Sequence, residues 1–201
     1  KFISLEIPSN QFLFDDVFWY ISSKHSLAYS NGNLFFKNFS FTDSTRYISV
    51  ANYDQKGLKL NVDGFDIAVV NQFINAKGLA LSGLFNFELT LENYFKLVNI
   101  RATANVFQFH VNKSNYGPLQ LSLFLPNENS QLNVEFLNQF RDYKISGMGT
   151  VNVPIAKNYK YPKYDAEILL ELLNTPAKYL EDYIPGISKT KGSLDGHVFL
   201  N

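Results

Sequence analysis

Three histidines, His25, His110 and His197, are the side chains best suited to moving protons near neutral pH, and they stand far apart in the chain. There is no His-x-x-x-His pair for a divalent metal, no Gly-x-Ser-x-Gly elbow and no phosphate-cradling glycine loop. His110 and His197 fall on the polar side of alternating stretches, where a solvent-facing histidine is the ordinary outcome. Paired carboxylates occur twice, as Asp15-Asp16 in a turn and Glu181-Asp182 on a short helical segment. Glycoside hydrolysis needs two carboxylates facing each other across a cleft, and the sequence places neither pair that way. Both read as solvated surface. The sequons at Asn38 and Asn112 are short enough to arise by chance. Cysteine is absent, which removes thiol catalysis, thiolate metal sites and disulfides. The expectation is a protein that is not an enzyme and uses no metal or cofactor.

What remains is apolar chemistry. The 201 residues include 19 Phe and 12 Tyr against one Trp and one Met, and 46% of the chain is hydrophobic. That composition can bury a sizeable core and is not that of a disordered chain. Phe and Tyr favour strands, so the aromatic excess points to sheet rather than helix bundle. Basic and acidic residues balance at 18 each, without the basic excess of a nucleic-acid binder, so no nucleic-acid partner is expected. The apolar residues with the most regular spacing are Phe85, Phe87, Leu89 and Leu91, then Phe107, Phe109 and Val111, then Leu119, Leu121 and Leu123. One reading of this series is an ordinary dry core; the other is a greasy groove for acyl chains. Both require the same alternation.

The elements that must position these residues are short strands. Residues 2–7 alternate and stop at Pro8-Ser9-Asn10. Phe12-Leu13-Phe14 and residues 17–21 are apolar at nearly every position, as in strands buried on both faces or at a covered edge. Ser30-Asn31-Gly32-Asn33 has the Asn-Gly of a type I′ hairpin. Ile67, Val70, Phe73 and Ile74 switch to helical spacing, predicting a short helix that Gly78 would stop. After Gly83 the clearest alternation begins. Further on, Ser114 to Pro118 reads as a turn, residues 159–164 as a polar connection, and residues 175–183 as a second helix with Pro176 at its start. A short helix, a glycine pair and an alternating strand thus occur twice, over about 65–91 and 172–201, which suggests an internal repeat. About fourteen strands, roughly 8–12 residues apart, fit an all-β sandwich, barrel or solenoid. With strands at both termini, the expectation is one continuous segment over residues 1–201 of an elongated, curled sheet, cut from a longer chain.

The order of these features resembles the TamB family of AsmA-like proteins. The resemblance is carried by Phe18-Trp19-Tyr20, Tyr47-Ile48-Ser49-Val50 and Gly57-Leu58-Lys59-Leu60-Asn61-Val62. It continues through Gly78-Leu79-Ala80-Leu81-Ser82-Gly83, Asn115-Tyr116-Gly117-Pro118-Leu119 and Lys191-Gly192-Ser193-Leu194-Asp195-Gly196, and so covers about residues 12 to 201. The motifs are degenerate, so the match is one of pattern and order. It implies a taco-like β-sheet with a hydrophobic groove, in a periplasmic protein of diderm (Gram-negative) bacteria. That protein would be anchored in the inner membrane by a segment not present here, and would contact an Omp85-type outer-membrane barrel through other parts of the chain. The implied function is phospholipid transport to, and assembly of, the outer membrane. Chaperone-like holding of unfolded outer-membrane strands, or a structural or adhesive solenoid with a closed core, stand as alternatives.

Overall fold

Alternation with β-branched and aromatic residues at the apolar positions favours extended backbone, and in a computed structural model the chain is nearly all β. Residues 2–6, 10–14, 16–54, 56–72, 79–93, 98–126, 131–152, 166–179, 181 and 188–200 are described. The strands are β1 (Phe2–Leu5), β2 (Gln11–Phe14), β3 (Val17–Ile21), β4 (Ser26–Ser30), β5 (Asn33–Lys37), β6 (Phe39–Thr42), β7 (Tyr47–Asn52) and β8 (Leu58–Asp66). They continue with β9 (Leu81–Asn93), β10 (Val98–Val111), β11 (Ser114–Leu125), β12 (Gln131–Phe140), β13 (Tyr143–Asn152), β14 (Ala166–Pro176) and β15 (Ser193–Leu200). Twelve form one open sheet in the order β15-β14-β13-β12-β11-β10-β9-β8-β7-β6-β3-β2, and β1-β4-β5 form a second, three-stranded sheet.

The contacts group into two compact units, residues 1–65 with 86–102, and residues 66–85 with 103–201. In the first unit, β4 and β5 meet in the expected hairpin, with Ser30 opposite Asn33 and positive φ at Asn31 and Gly32. Asn52 ties the small sheet to β7. Its side chain accepts from the Phe36 N–H at 2.8 Å and donates to the Leu34 carbonyl at 2.7 Å, standing in for a missing ladder partner. In the second unit, Val111, Tyr116, Tyr143 and Tyr179 make a closed core. Tyr179 stacks on Tyr116 at 4.0 Å, and its hydroxyl donates to the Asn115 carbonyl at 2.9 Å.

Several expectations change. β2 is neither buried on both faces nor covered: it is a sheet edge with Phe12, Leu13 and Phe14 all exposed. Among the described residues, the first expected helix opens as a 3-10 helix, Ile67–Gln72, and the second as a 3-10 turn, Ala177–Tyr179, with Glu181 beyond it in α-helix. Phe65, Asp66 and residues 172–176 are strand instead. At the first turn, the Asn71 side chain accepts from the Leu81 N–H at 2.9 Å and donates to the Leu81 carbonyl at 2.8 Å, pinning the segment to the start of the next strand. Phe73, Ile74, Gly78, residues 159–164, Asp15 and Asp182 lie outside the described residues. The turn expected at Ser114 to Pro118 lies earlier, at Asn112 and Lys113, because Asn112 adopts left-handed backbone. Gly117 instead makes a left-handed kink inside β11, its N–H donating to Asn115 Oδ1 at 2.8 Å. A side chain there would collide with the Phe140 ring. In both suspected repeats a strand runs into a 3-10 turn, and the next described strand carries a positive-φ glycine, Gly83 or Gly196.

Candidate functional site

Antiparallel partners point to the same side of a sheet, so the registers of β11 to β15 sort their residues into two faces. One row runs Leu121, Phe136, Gly147, Leu170 and Val198; the next runs Leu123, Val134, Gly149, Ile168 and Leu200. Both rows are apolar, and the row beside them, Leu119, Asn138, Ile145 and Leu172, adds one buried polar side chain, Asn138. Ser122, Glu135, Lys144, Ser146, Glu171 and His197 point the other way. The side chains of both apolar rows are half-buried or exposed, neither fully dry nor fully open. Contacts among β11, β12, β13, β14 and β15 are those of ladder neighbours, and among the described residues of this unit no second sheet lies over them.

Two glycines shape the apolar face. At Gly147 a Cβ would strike the Phe136 ring, which lies across the glycine. At Gly149 a Cβ would strike the β14 backbone itself, at Glu167 and Ile168, so the two strands approach more closely than any other residue permits.

Of the ten residues expected to line a groove, Phe85, Phe87, Leu89, Leu91, Phe109, Leu119, Leu121 and Leu123 are half-buried. Leu119, Leu121 and Leu123 lie on the apolar face of the second unit. In the first unit Lys59 pairs with Glu88 at 2.8 Å, which puts Glu88 on the face of Lys59 and so Phe87 and Leu89 on the opposite one. The other two depart from the expectation. Phe107 is 51% exposed while Val106 and Val111 are buried, so Phe107 points away from Phe109 and Val111. The cause is a bulge at Gln108, whose φ is 51°, opposite Gly83. Val111 is 1% exposed, sealed in the tyrosine core. Sequence alternation counts every residue as one step, and a bulge breaks that count.

On the opposite face of β11–β15, where Leu137, Met148, Leu169 and Phe199 stand among the polar residues, lies a shallow depression bordered by Glu135, Lys144, Ser146, Met148, Glu171 and His197. Lys144 Nζ and Ser146 Oγ each reach Glu171 Oε2 at 3.0 Å. The hydrogen bonds from Lys144 and then Ser146 hold the Glu171 carboxyl below its ordinary range. His197 stands opposite Glu171 across the ladder. This row puts the carboxylate, not the imidazole, in the middle, so it cannot relay a proton from Ser146 to His197 as a nucleophile–base pair would. His25, by contrast, is buried, with Nδ1 2.7 Å from the Ser22 carbonyl oxygen. Among the described residues no group of three His, Asp or Glu is placed to hold a metal ion, and no helix is long and apolar enough to cross a membrane.

A second polar cluster, which sequence reasoning missed, joins β6 to β7. Asp43 Oδ1 accepts from the N–H groups of Thr45 and Arg46 at 2.7 and 2.6 Å and from the Thr45 hydroxyl at 3.1 Å. Arg46 Nε donates to Oδ2 at 2.6 Å. Burial alone would raise the Asp43 pKa, but these donors outweigh it and bring it from 3.8 to about 2. The only visible signal was the Asp-x-x-Arg spacing inside a polar turn. No family model, curated protein or solved structure matches this chain.

Proposed function

We propose that this chain is a non-enzymatic segment of a lipid conduit, shielding acyl chains on the apolar faces of its sheet. The observation that carries the reading is the half-buried state of those faces. Packed dry cores leave side chains almost wholly inaccessible, whereas eight of the ten expected residues are half-buried. An apolar face left partly open is the usual mark of a binding surface. Each methylene laid on it gains about 0.8 kcal/mol by leaving water. The pattern resemblance to TamB supports the same reading. It adds a periplasmic setting, an inner-membrane anchor and an Omp85-type barrel partner, all belonging to the parent protein.

Photocrosslinking residues installed at Phe87, Phe109 and Leu121 should yield lipid adducts by mass analysis. Absence of adducts at all three positions would sink the conduit reading. Replacing Phe87 with Asp should block lipid passage while leaving the fold intact, since the site is half-open; a closed solenoid would unfold instead. The strand-holding alternative draws on the exposed apolar edge strands β2 and β15, and predicts peptide adducts in place of lipid.

A further inference from the structure

Arg46 closes the turn between β6 and β7 with its guanidinium held on several sides. Nε is fixed by Asp43, while Cζ lies over the Trp19 ring at 4.9 Å and the Phe65 ring at 5.4 Å. Such stacking keeps the cation rigid and lightly hydrated. Among the described residues, the hydrogen bond of its side chain goes to Asp43 through Nε, leaving the terminal Nη pair without a protein acceptor. The Arg46 side chain is 25% exposed, against 4% for Asp43. The Asp43 charge is shared among four donors, two of them backbone amides, so it is spent mainly on the turn.

Where this cation sits matters. Trp19 is the cross-strand partner of Phe12, whose ring meets Phe41 at 5.7 Å, so Trp19 shares a face with Phe41. Phe41 is opposite both Ile21 and Ile48, and Ile48 is opposite Val62. Arg46 therefore stands at the end of an apolar face on which Trp19 and Ile21 are buried and Phe41, Ile48 and Val62 half-buried, with its two terminal NH2 groups in the fork geometry that suits a phosphate.

We propose that Arg46 is a headgroup site, taking the phosphate oxygens of an acyl phosphodiester lipid through its Nη groups while the tail lies toward Phe41, Ile48 and Val62. The assignment rests on the lipid reading above and adds a lock for the headgroup, so that phosphate-bearing lipids are preferred over neutral ones. A free phosphate has the same anionic oxygens but no tail, and the experiment separates the two.

Trp19 is the single tryptophan of the chain and lies directly under the cation, so its emission reports the site. The protein would be titrated with dihexanoyl phosphatidylglycerol, with neutral dihexanoylglycerol and with inorganic phosphate. The expected result is phospholipid binding at least tenfold tighter than that of the neutral lipid, and phosphate alone ineffective at the same concentrations. Arg46→Gln should abolish the tenfold preference and leave neutral-lipid affinity unchanged. Arg46→Lys, which keeps the charge but not the fork, should recover part of it and serves if the Gln variant fails to fold. Unchanged phospholipid affinity in both variants overturns the headgroup assignment, as does a response to phosphate alone equal to that of the phospholipid. If the crosslinkers at Phe87, Phe109 and Leu121 capture lipid while the preference is absent, only the headgroup site falls. If they capture none, the lipid reading falls with it.

Discussion

Asp43 gathers two backbone amides, the Thr45 hydroxyl and the Arg46 guanidinium on one carboxylate. Removing it leaves part-buried donors without their acceptor, a cost of about 1 kcal/mol. Asp43→Ala should lower the urea midpoint accordingly, and Asp43→Asn somewhat less. The pH dependence follows from the depressed pKa. The native carboxylate titrates at about 2 against 3.8 for the free side chain, so its contribution is complete above 3.8 and is lost as the pH falls toward 2. Between those values the wild-type midpoint should drop more steeply than that of Asp43→Asn. Parallel curves would show that the carboxylate does not stabilise the fold through its charge.

Gly83 opposes the Gln108 bulge, and a Cβ there would stand 2.8 Å from the Phe107 carbonyl oxygen on a backbone with φ of 135°. Gly83→Ala should therefore cost about 1–3 kcal/mol in a urea melt. Gly192 also has positive φ, 95°, but nothing lies within 4 Å of its added Cβ. Gly192→Ala should cost only the backbone term, about 1 kcal/mol. An equal loss at the two sites would mean that close packing at the bulge adds nothing. These elements also mark what the sequence could carry. The Asn31-Gly32 hairpin and the alternation from Leu119 to Leu125 were legible because local backbone preference decides them. The bulge was not, since nothing in Phe107-Gln108-Phe109 marks Gln108 for left-handed backbone. The helical spacing of Ile67 and Val70 marked a helix, but not that it would be 3-10 nor that the Asn71 side chain would bond the Leu81 backbone ten residues on, a pairing no local pattern shows.

Among the described residues, the large sheet ends in two edge strands, β2 and β15, each with one ladder neighbour. Phe199 on β15 is 74% exposed, beside exposed Val198 and Leu200. Exposed apolar edges invite pairing with another strand, and a lysine on the edge opposes it. Phe199→Lys should reduce self-association in sedimentation at micromolar concentration and leave the urea midpoint within about 0.5 kcal/mol. No reduction would mean that the edge is not the sticky surface. The choice between groove and core was invisible in the sequence because alternation records which face a residue occupies, not what covers that face; Leu121 and Val111 looked alike.

The row Leu121, Phe136, Gly147, Leu170 and Val198 crosses five strands. At about 4.8 Å per strand it is roughly 19 Å long. One leaflet of a bilayer is about 15 Å of hydrocarbon, half of the whole core. A tail lying along this row would set about a leaflet's length of protein against one side of the hydrocarbon in place of a leaflet of lipid.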